Sequence, residues 1–196
     1  MDESQSNNKL WCGTIPTQET IERAKHIKLV LMDVDSVLTD GKSYYLPESG
    51  GSAYETKGFD AHDGLAFHLL NDAAIATGFI SGRKSQAVDV RAANMNVKYV
   101  RQGNLQKEKN YEDIVHLAGV SDKQVAYIGD DFPDVPLLKR AGLACVVANA
   151  RREVKTYAHF VSQAGGGQGA VREIIELILK AQNKWQAVIE KYGIEK

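Results

Sequence analysis

The chain of 196 residues is poor in cysteine, in net charge and in long apolar runs, and each shortage closes off a class of function. Its two cysteines, Cys12 and Cys145, form no metal-ligand spacing, and Cys145 sits in an apolar run. They read as free thiols of a reducing compartment rather than as a disulfide framework. The five histidines (His26, His62, His68, His116 and His159) form no His-Glu-x-x-His pattern, which argues further against zinc. A formal net charge of −1, with 25% charged residues, suggests neither nucleic acid nor an anionic membrane as a partner. No stretch approaches the roughly 18 apolar residues of a membrane span. Residues 1–9 are polar, without the apolar heart of a signal peptide. There is no Gly-x-x-x-x-Gly-Lys-Ser/Thr motif, so a P-loop nucleotidase is not expected. The expectation is a soluble cytoplasmic protein with no nucleic-acid and no membrane partner.

What is present is organised around Leu29-Val30-Leu31-Met32-Asp33-Val34-Asp35-Ser36-Val37-Leu38-Thr39-Asp40-Gly41. Five of the six residues from Leu29 to Val34 are apolar, which suits a strand buried on both faces of a parallel sheet. Asp33 and Asp35 arrive where the run ends, two apart and so able to face one site. Asp-x-Asp alone is equally the composition of a solvated turn or a helix cap. Here it follows a buried run, where carboxylates need a cation or hydrogen bonds to hold them.

The length supports one good-sized core. Residues 1–16 read as a flexible arm and residues 17–196 as a single domain. Helical spacing marks residues 17–26, and the first strand follows. Ser43-Tyr44-Tyr45-Leu46 and Ser52-Ala53-Tyr54-Glu55-Thr56, separated by Pro47-Glu48-Ser49-Gly50-Gly51, read as a hairpin inserted at about residues 42–57. Its tyrosines are many for a solvated hairpin, so it either lies on its own domain, covers the site or packs on another subunit. Helix and strand then alternate: a helix from Asp63, a strand over 74–80, a helix over 84–95, a strand over 97–100, a helix opened by residues 102–107, a strand over 125–128, a short helix at Leu137 to Ala141, a strand over 143–147 and a possible edge strand at Phe160-Val161. A glycine-rich turn at 165–169 leads into one long amphipathic helix to about residue 192. This alternation is that of an α/β fold with a doubly wound, mainly parallel, Rossmann-like sheet. Ligands of such sheets sit beyond the carboxyl ends of the strands, where Asp33, Ser81 and Asp130 fall.

Asp33, Asp35, Asp130, Asp131 and Asp134 offer oxygen and no sulfur, which favours Mg²⁺ over Zn²⁺. Ser81 with Gly82 supplies a hydroxyl and open amides at a strand-to-helix turn, or simply a helix cap. Lys107 near a helix start opposes the helix dipole, a misfit resolved if it faces an anion. Together these groups fit phosphoryl transfer through a carboxylate. Asp33 attacks phosphorus, Asp35 serves as acid and then base, and Ser81 and Lys107 stabilise the phosphoryl oxygens. Gly165-Gly166-Gly167-Gln168-Gly169-Ala170 also fits a dinucleotide fingerprint, but it lies too near the C-terminus for a following βαβ unit.

These residues resemble the four motifs of the haloacid dehalogenase superfamily of phosphatases: Asp33-Val34-Asp35, Ser81, Lys107, and Gly129-Asp130-Asp131 with Asp134. Finer features resemble its 3-deoxy-D-manno-octulosonate 8-phosphate phosphatase branch: Val37 to Gly41, Phe59 with Asp63-Gly64, Ser81-Gly82-Arg83, Gln102-Gly103 with Lys107, and Gly166-Gly167 with Gly169 to Glu173. The resemblance covers about residues 24–182. It implies a Mg²⁺-dependent homotetrameric hydrolase of a phosphorylated sugar acid, with the hairpin in place of a large cap domain. It implies that Asp33, the Asp35 main-chain carbonyl and Asp130 hold the metal, with Asp131 and Asp134 in support. It also implies substrate contacts from Asp60, Ala61, His62, Asp63, Gly64, His68, Gly82, Arg83, Arg91 and Arg172, and a glycine-rich tail that reaches a neighbouring site.

The chain departs from the branch at Ser36 and Ala66, where glycine is usual, and at His68, where a basic residue is usual. A neutral histidine holds an anion more weakly. A nine-carbon keto-deoxy sugar acid 9-phosphate is therefore an alternative substrate. From other functional classes, a non-catalytic oligomerising module and a phospho-accepting switch are the competitors.

Overall fold

A computed structural model describes residues 15–194. The expected N-terminal arm, and Cys12 within it, fall almost wholly outside the described residues.

The first helix, α1 (Gln18–Ala24), starts at Thr17, whose side chain accepts from the Thr20 amide. The first strand, β1 (Leu29–Met32), is buried at every residue. It is followed by the hairpin strands β2 (Tyr44–Pro47) and β3 (Ala53–Thr56), which pair antiparallel with each other. Then come α2 (Ala61–Asp72), β4 (Ala76–Ser81), α3 (Gln86–Asn94), β5 (Tyr99–Gln102), α4 (Glu108–Ala118), β6 (Val125–Gly129), α5 (Val135–Arg140), β7 (Leu143–Val146), α6 (Arg152–Lys155) and β8 (Phe160–Val161). The chain closes on α7 (Ala170–Ala181) and α8 (Trp185–Lys191). No helix among the described residues is long and apolar enough to cross a membrane.

Six parallel strands form one sheet in the order β5-β4-β1-β6-β7-β8. Helices α1, α2 and α7 pack together, as do α4 and α5. This is the doubly wound sheet that the alternation of elements predicts. The central strands β1 and β6 carry no polar side chain except Tyr127, as burial on both faces requires. From β1 the chain moves to β4 and β5 on one side, then returns to β6 on the other. A crevice therefore opens at the carboxyl ends of β1 and β6, where ligands of such sheets bind.

Two boundaries differ from expectation. The helix expected from Ala170 to about residue 192 is two helices. Asn183 adopts a left-handed φ of 56°, and the Lys184 amide turns back to the Leu179 carbonyl, which ends α7. The fifth strand begins at Tyr99 rather than Val97, because the Val97 amide is spent closing α3 on the Ala92 carbonyl.

Candidate active site

Asp33 leaves β1 with its amide bonded to the Ile128 carbonyl of β6, so its carboxylate sits at the crevice. The chain then folds into a tight turn. The amides of Val37, Leu38 and Thr39 all reach the Val34 carbonyl, and the Thr39 hydroxyl accepts from the Ser36 and Gly41 amides. Ser36 pays for this turn with a left-handed φ of 64°, the conformation for which glycine is suited.

Lys107 stands at the start of α4, on the same helical face as the buried Tyr111 and Ile114. That register drives its side chain inward, where it is 3% exposed. Its ammonium lies 3.0 Å from Asp33 Oδ2 and 2.7 Å from Asp134 Oδ1. Asp134 is fully buried and saturated: Oδ1 also accepts from the Tyr127 hydroxyl at 2.7 Å, and Oδ2 accepts from the Asp130 and Asp131 amides at 3.0 and 3.3 Å. Gly129 makes room for it, since a Cβ there would lie 2.5 Å from Asp134 Cβ. Asp131 caps the short turn Phe132–Asp134 that brings Asp134 back to the strand.

Carboxylate oxygens of Asp33, Asp130 and Asp134 lie within 4.8 Å of one another. Asp134 is already committed to four donors, so Asp33 and Asp130 are the pair with oxygen to offer. Burial raises the pKa of Asp33 to about 6 against the pull of Lys107, with the charge of Asp134 adding to the rise. Burial, then the charges of Asp134 and Asp33, raise Asp130 to about 8. Desolvation works to discharge Lys107, but the two carboxylates outweigh it and hold its pKa above the ordinary lysine value. Crowded, oxygen-only carboxylates that resist ionisation fit a hard divalent cation, which would relieve their repulsion.

Ser81 ends β4, buried, with its hydroxyl accepting from the Arg83 amide at 3.2 Å. Gly82 lies against Leu105: a Cβ there would come within 2.5 Å of its side chain. The Arg83 guanidinium turns to Glu55 of β3, at 3.1 Å. Glu55 also meets Lys57 at 3.3 Å, and Lys57 in turn binds Asp35 Oδ1. Hairpin, Asp35 and the Ser81 turn thus form one connected network. Lys57, Glu55 and Tyr127 are absent from the sequence-derived set. Tyr127 carried a signal, because a phenol inside an apolar strand needs a partner.

The remaining predicted contacts form a separate unit. Asp60 caps α2 by accepting from the His62 and Asp63 amides, and Ala61, His62 and His68 are exposed. Asp63 is buried, its Oδ1 accepting from the Arg172 amide at 2.8 Å, and burial raises its pKa to about 6. Arg91 stacks on Phe59 and donates to the Asp60 carbonyl, with Gly64 pressed against its guanidinium. The Arg172 side chain runs along α7 to Glu176. Asp63, Arg91 and Arg172 thus tie α2 to α3 and α7.

The glycine-rich tail has contacts within its own chain. It folds onto the chain's own Asp33–Gly41 turn. The Gly167 amide donates to the Val37 carbonyl, and Asn149 bridges the Ser36 carbonyl and the Gly166 amide at 3.0 and 2.6 Å. A Cβ on Gly166 would lie 1.8 Å from the Ser36 carbonyl oxygen. These glycines permit backbone-to-backbone contact, and Asn149 is a support that sequence reasoning missed.

Residues 66–188 match the haloacid dehalogenase-like hydrolase family. The chain belongs to that family. Among hydrolases of this kind, it is 40% identical to the 3-deoxy-D-manno-octulosonate 8-phosphate phosphatase of Haemophilus influenzae, over 83% of this chain and 88% of that protein. It is 36% identical to the Yersinia pestis enzyme of the same name, over 85% of this chain and 87% of that protein. The 3-deoxy-D-manno-octulosonate 8-phosphate phosphatase of Moraxella catarrhalis, solved with magnesium ion, phosphate ion and KDO, superposes with a TM-score of 0.85 at 38% identity, covering 90% of this chain and 99% of that one. A hydrolase of the haloacid dehalogenase type and its sheet are thereby established for this chain.

Proposed function

We propose that this protein is a phosphoric monoester hydrolase that releases phosphate from 3-deoxy-D-manno-octulosonate 8-phosphate, with Mg²⁺ as cofactor. The observation that carries this reading is Asp33 facing Lys107 and Asp130 across the crevice, in a chain so similar to enzymes named for that substrate.

Asp33 attacks phosphorus, the bond to the sugar oxygen breaks, and Asp35 gives that oxygen its proton. Water then attacks the aspartyl-phosphate, Asp35 takes the proton, and phosphate leaves with Asp33 regenerated. Lys107 and Ser81 stabilise the phosphoryl oxygens as charge moves. Mg²⁺ would be held by Asp33, Asp130 and the Asp35 carbonyl, and it supplies positive charge that offsets repulsion between Asp33 and the phosphoryl group. Asp134 keeps Lys107 in place.

The exposed Tyr44, Tyr45, Leu46 and Tyr54 of the hairpin support packing into a homotetramer. Light scattering of the wild type and of a Tyr45→Ser/Leu46→Ser variant tests that assembly, and a wild-type monomer would refute it.

The decisive test measures kcat/KM with Mg²⁺ for 3-deoxy-D-manno-octulosonate 8-phosphate beside a nine-carbon keto-deoxy 9-phosphate. The expected result is a clear preference for the eight-carbon ester, turnover lost in Asp33→Asn, and turnover stopped by EDTA. Preference for the nine-carbon ester would overturn the substrate. Full activity in Asp33→Asn would overturn the mechanism.

A further inference from the structure

Lys57 is a buried cation that the chemistry above does not use. It follows β3, at the foot of the hairpin, and its side chain is 1% exposed. A buried ammonium persists where carboxylates surround it. Lys57 has two, Asp35 Oδ1 and Glu55 Oε1. The other Glu55 oxygen is held by Arg83, and the Arg83 amide donates to the Ser81 hydroxyl. Both ends of this chain of contacts are therefore anchored: one at the proposed acid-base, the other at the turn proposed to cradle the phosphoryl group.

We infer that Lys57 is the positioning residue for Asp35, a role that rests on the reading of Asp35 as the acid-base. Asp35 is itself partly exposed, with 24% of its side chain open to solvent, and it lies in a turn rather than in a strand. The contact seen on its carboxylate is that of Lys57. The Lys57 ammonium fixes the carboxylate by holding Oδ1, which leaves Oδ2 as the oxygen that exchanges the proton. In the first half-reaction the P–O bond to the sugar breaks and its electron pair stays on the sugar oxygen. The proton from Asp35 Oδ2 neutralises that oxygen, and the carboxylate left behind remains on Lys57. In the second half-reaction the same oxygen takes the proton of the attacking water. Because Lys57 belongs to the hairpin, the insert that stands in place of a cap also sets the geometry of proton transfer.

A general acid matters to the degree that the leaving group needs a proton. An alkyl phosphate such as the sugar ester needs one, whereas p-nitrophenyl phosphate, whose leaving group is stable as an anion, does not. The test is rapid-quench measurement of aspartyl-phosphate formation in a single turnover, with 3-deoxy-D-manno-octulosonate 8-phosphate and with p-nitrophenyl phosphate. The variants are Lys57→Met, Lys57→Arg, Glu55→Gln and Asp35→Asn in the full chain with Mg²⁺.

General acid catalysis contributes about 10² to 10⁴-fold. Lys57→Met is therefore expected to slow phosphorylation by the sugar ester about 10²-fold and by p-nitrophenyl phosphate less than about threefold, with Lys57→Arg regaining most of the loss. Glu55→Gln, which keeps Lys57 but removes its second anchor, is expected to show the same split at a smaller size. It carries the test if Lys57→Met fails to fold. Equal losses on both esters, or no loss on either, would overturn the role of Lys57. Asp35→Asn separates the two readings. A split there without one in the Lys57 and Glu55 variants removes only the positioning role, while no split there removes the assignment of Asp35 itself.

Discussion

The contact between the glycine-rich tail and the Asp33–Gly41 turn makes a prediction that two alanine substitutions can separate. At Gly166 an added Cβ meets the Ser36 carbonyl oxygen at 1.8 Å, where ordinary contact begins at 3.4 Å, and the Thr39 carbonyl oxygen at 2.9 Å. Both obstacles are backbone, so the loop and the turn have to part by more than an ångström. Overpacking of this kind costs about 1–3 kcal/mol. Parting the loops also breaks the Gly166 amide bond to Asn149, which adds about 1 kcal/mol. Gly169 is the control. It has a left-handed φ of 93° and open space around the missing Cβ, so alanine there costs only strain, about 1–2 kcal/mol. Gly166→Ala is expected to lose about 3 kcal/mol in urea unfolding and about 10²-fold in kcat, because the displaced turn carries Asp33 and Asp35. Gly169→Ala is expected to keep kcat within about twofold. Equal stability and equal kcat in the two variants would refute the claim that Gly166 serves the Asp33–Gly41 turn.

Asp134→Asn should destabilise the fold by about 3–5 kcal/mol, since it leaves the buried Lys107 with half its counter-charge; urea melts that match the wild type would contradict this. Ser36→Gly should stabilise by about 1 kcal/mol by removing left-handed strain, visible as a higher Tm, and a lower Tm would refute the strain. In the absence of metal, folding raises Asp33 from 3.8 to about 6 and Asp130 from 3.8 to about 8. The folded state then holds protons that the unfolded chain has released, so metal-free stability should fall as pH rises from about 4 to about 8. Mg²⁺ should flatten that slope, because it favours the ionised carboxylates. Thermal melts at pH 5 and pH 8, with EDTA and with Mg²⁺, check this, and a metal-free protein more stable at pH 8 than at pH 5 would refute it.

The alternating elements, the buried first strand and the ends of the strands were legible in the order of the residues. Burial on both faces demands an unbroken apolar run, and a parallel sheet demands helices between strands. Asp33 and Asp130 stood out as carboxylates at strand ends, and Lys107 as a cation set against its helix dipole. Local pattern does not reveal which partner a side chain finds across the fold. Asp134 accepts from four donors, and Asp63, Arg91 and Arg172 link α2 to α3 and α7. The glycine-rich tail lies on the Asp33–Gly41 turn, and Lys57 holds Asp35 from the hairpin. Periodicity along the chain by itself determined the elements, and local sequence context marked Asp33, Asp130 and Lys107. The contacts across the fold were decided only by the tertiary structure, because hydrogen bonds and ion pairs between distant residues depend on where the packed sheet and helices bring them.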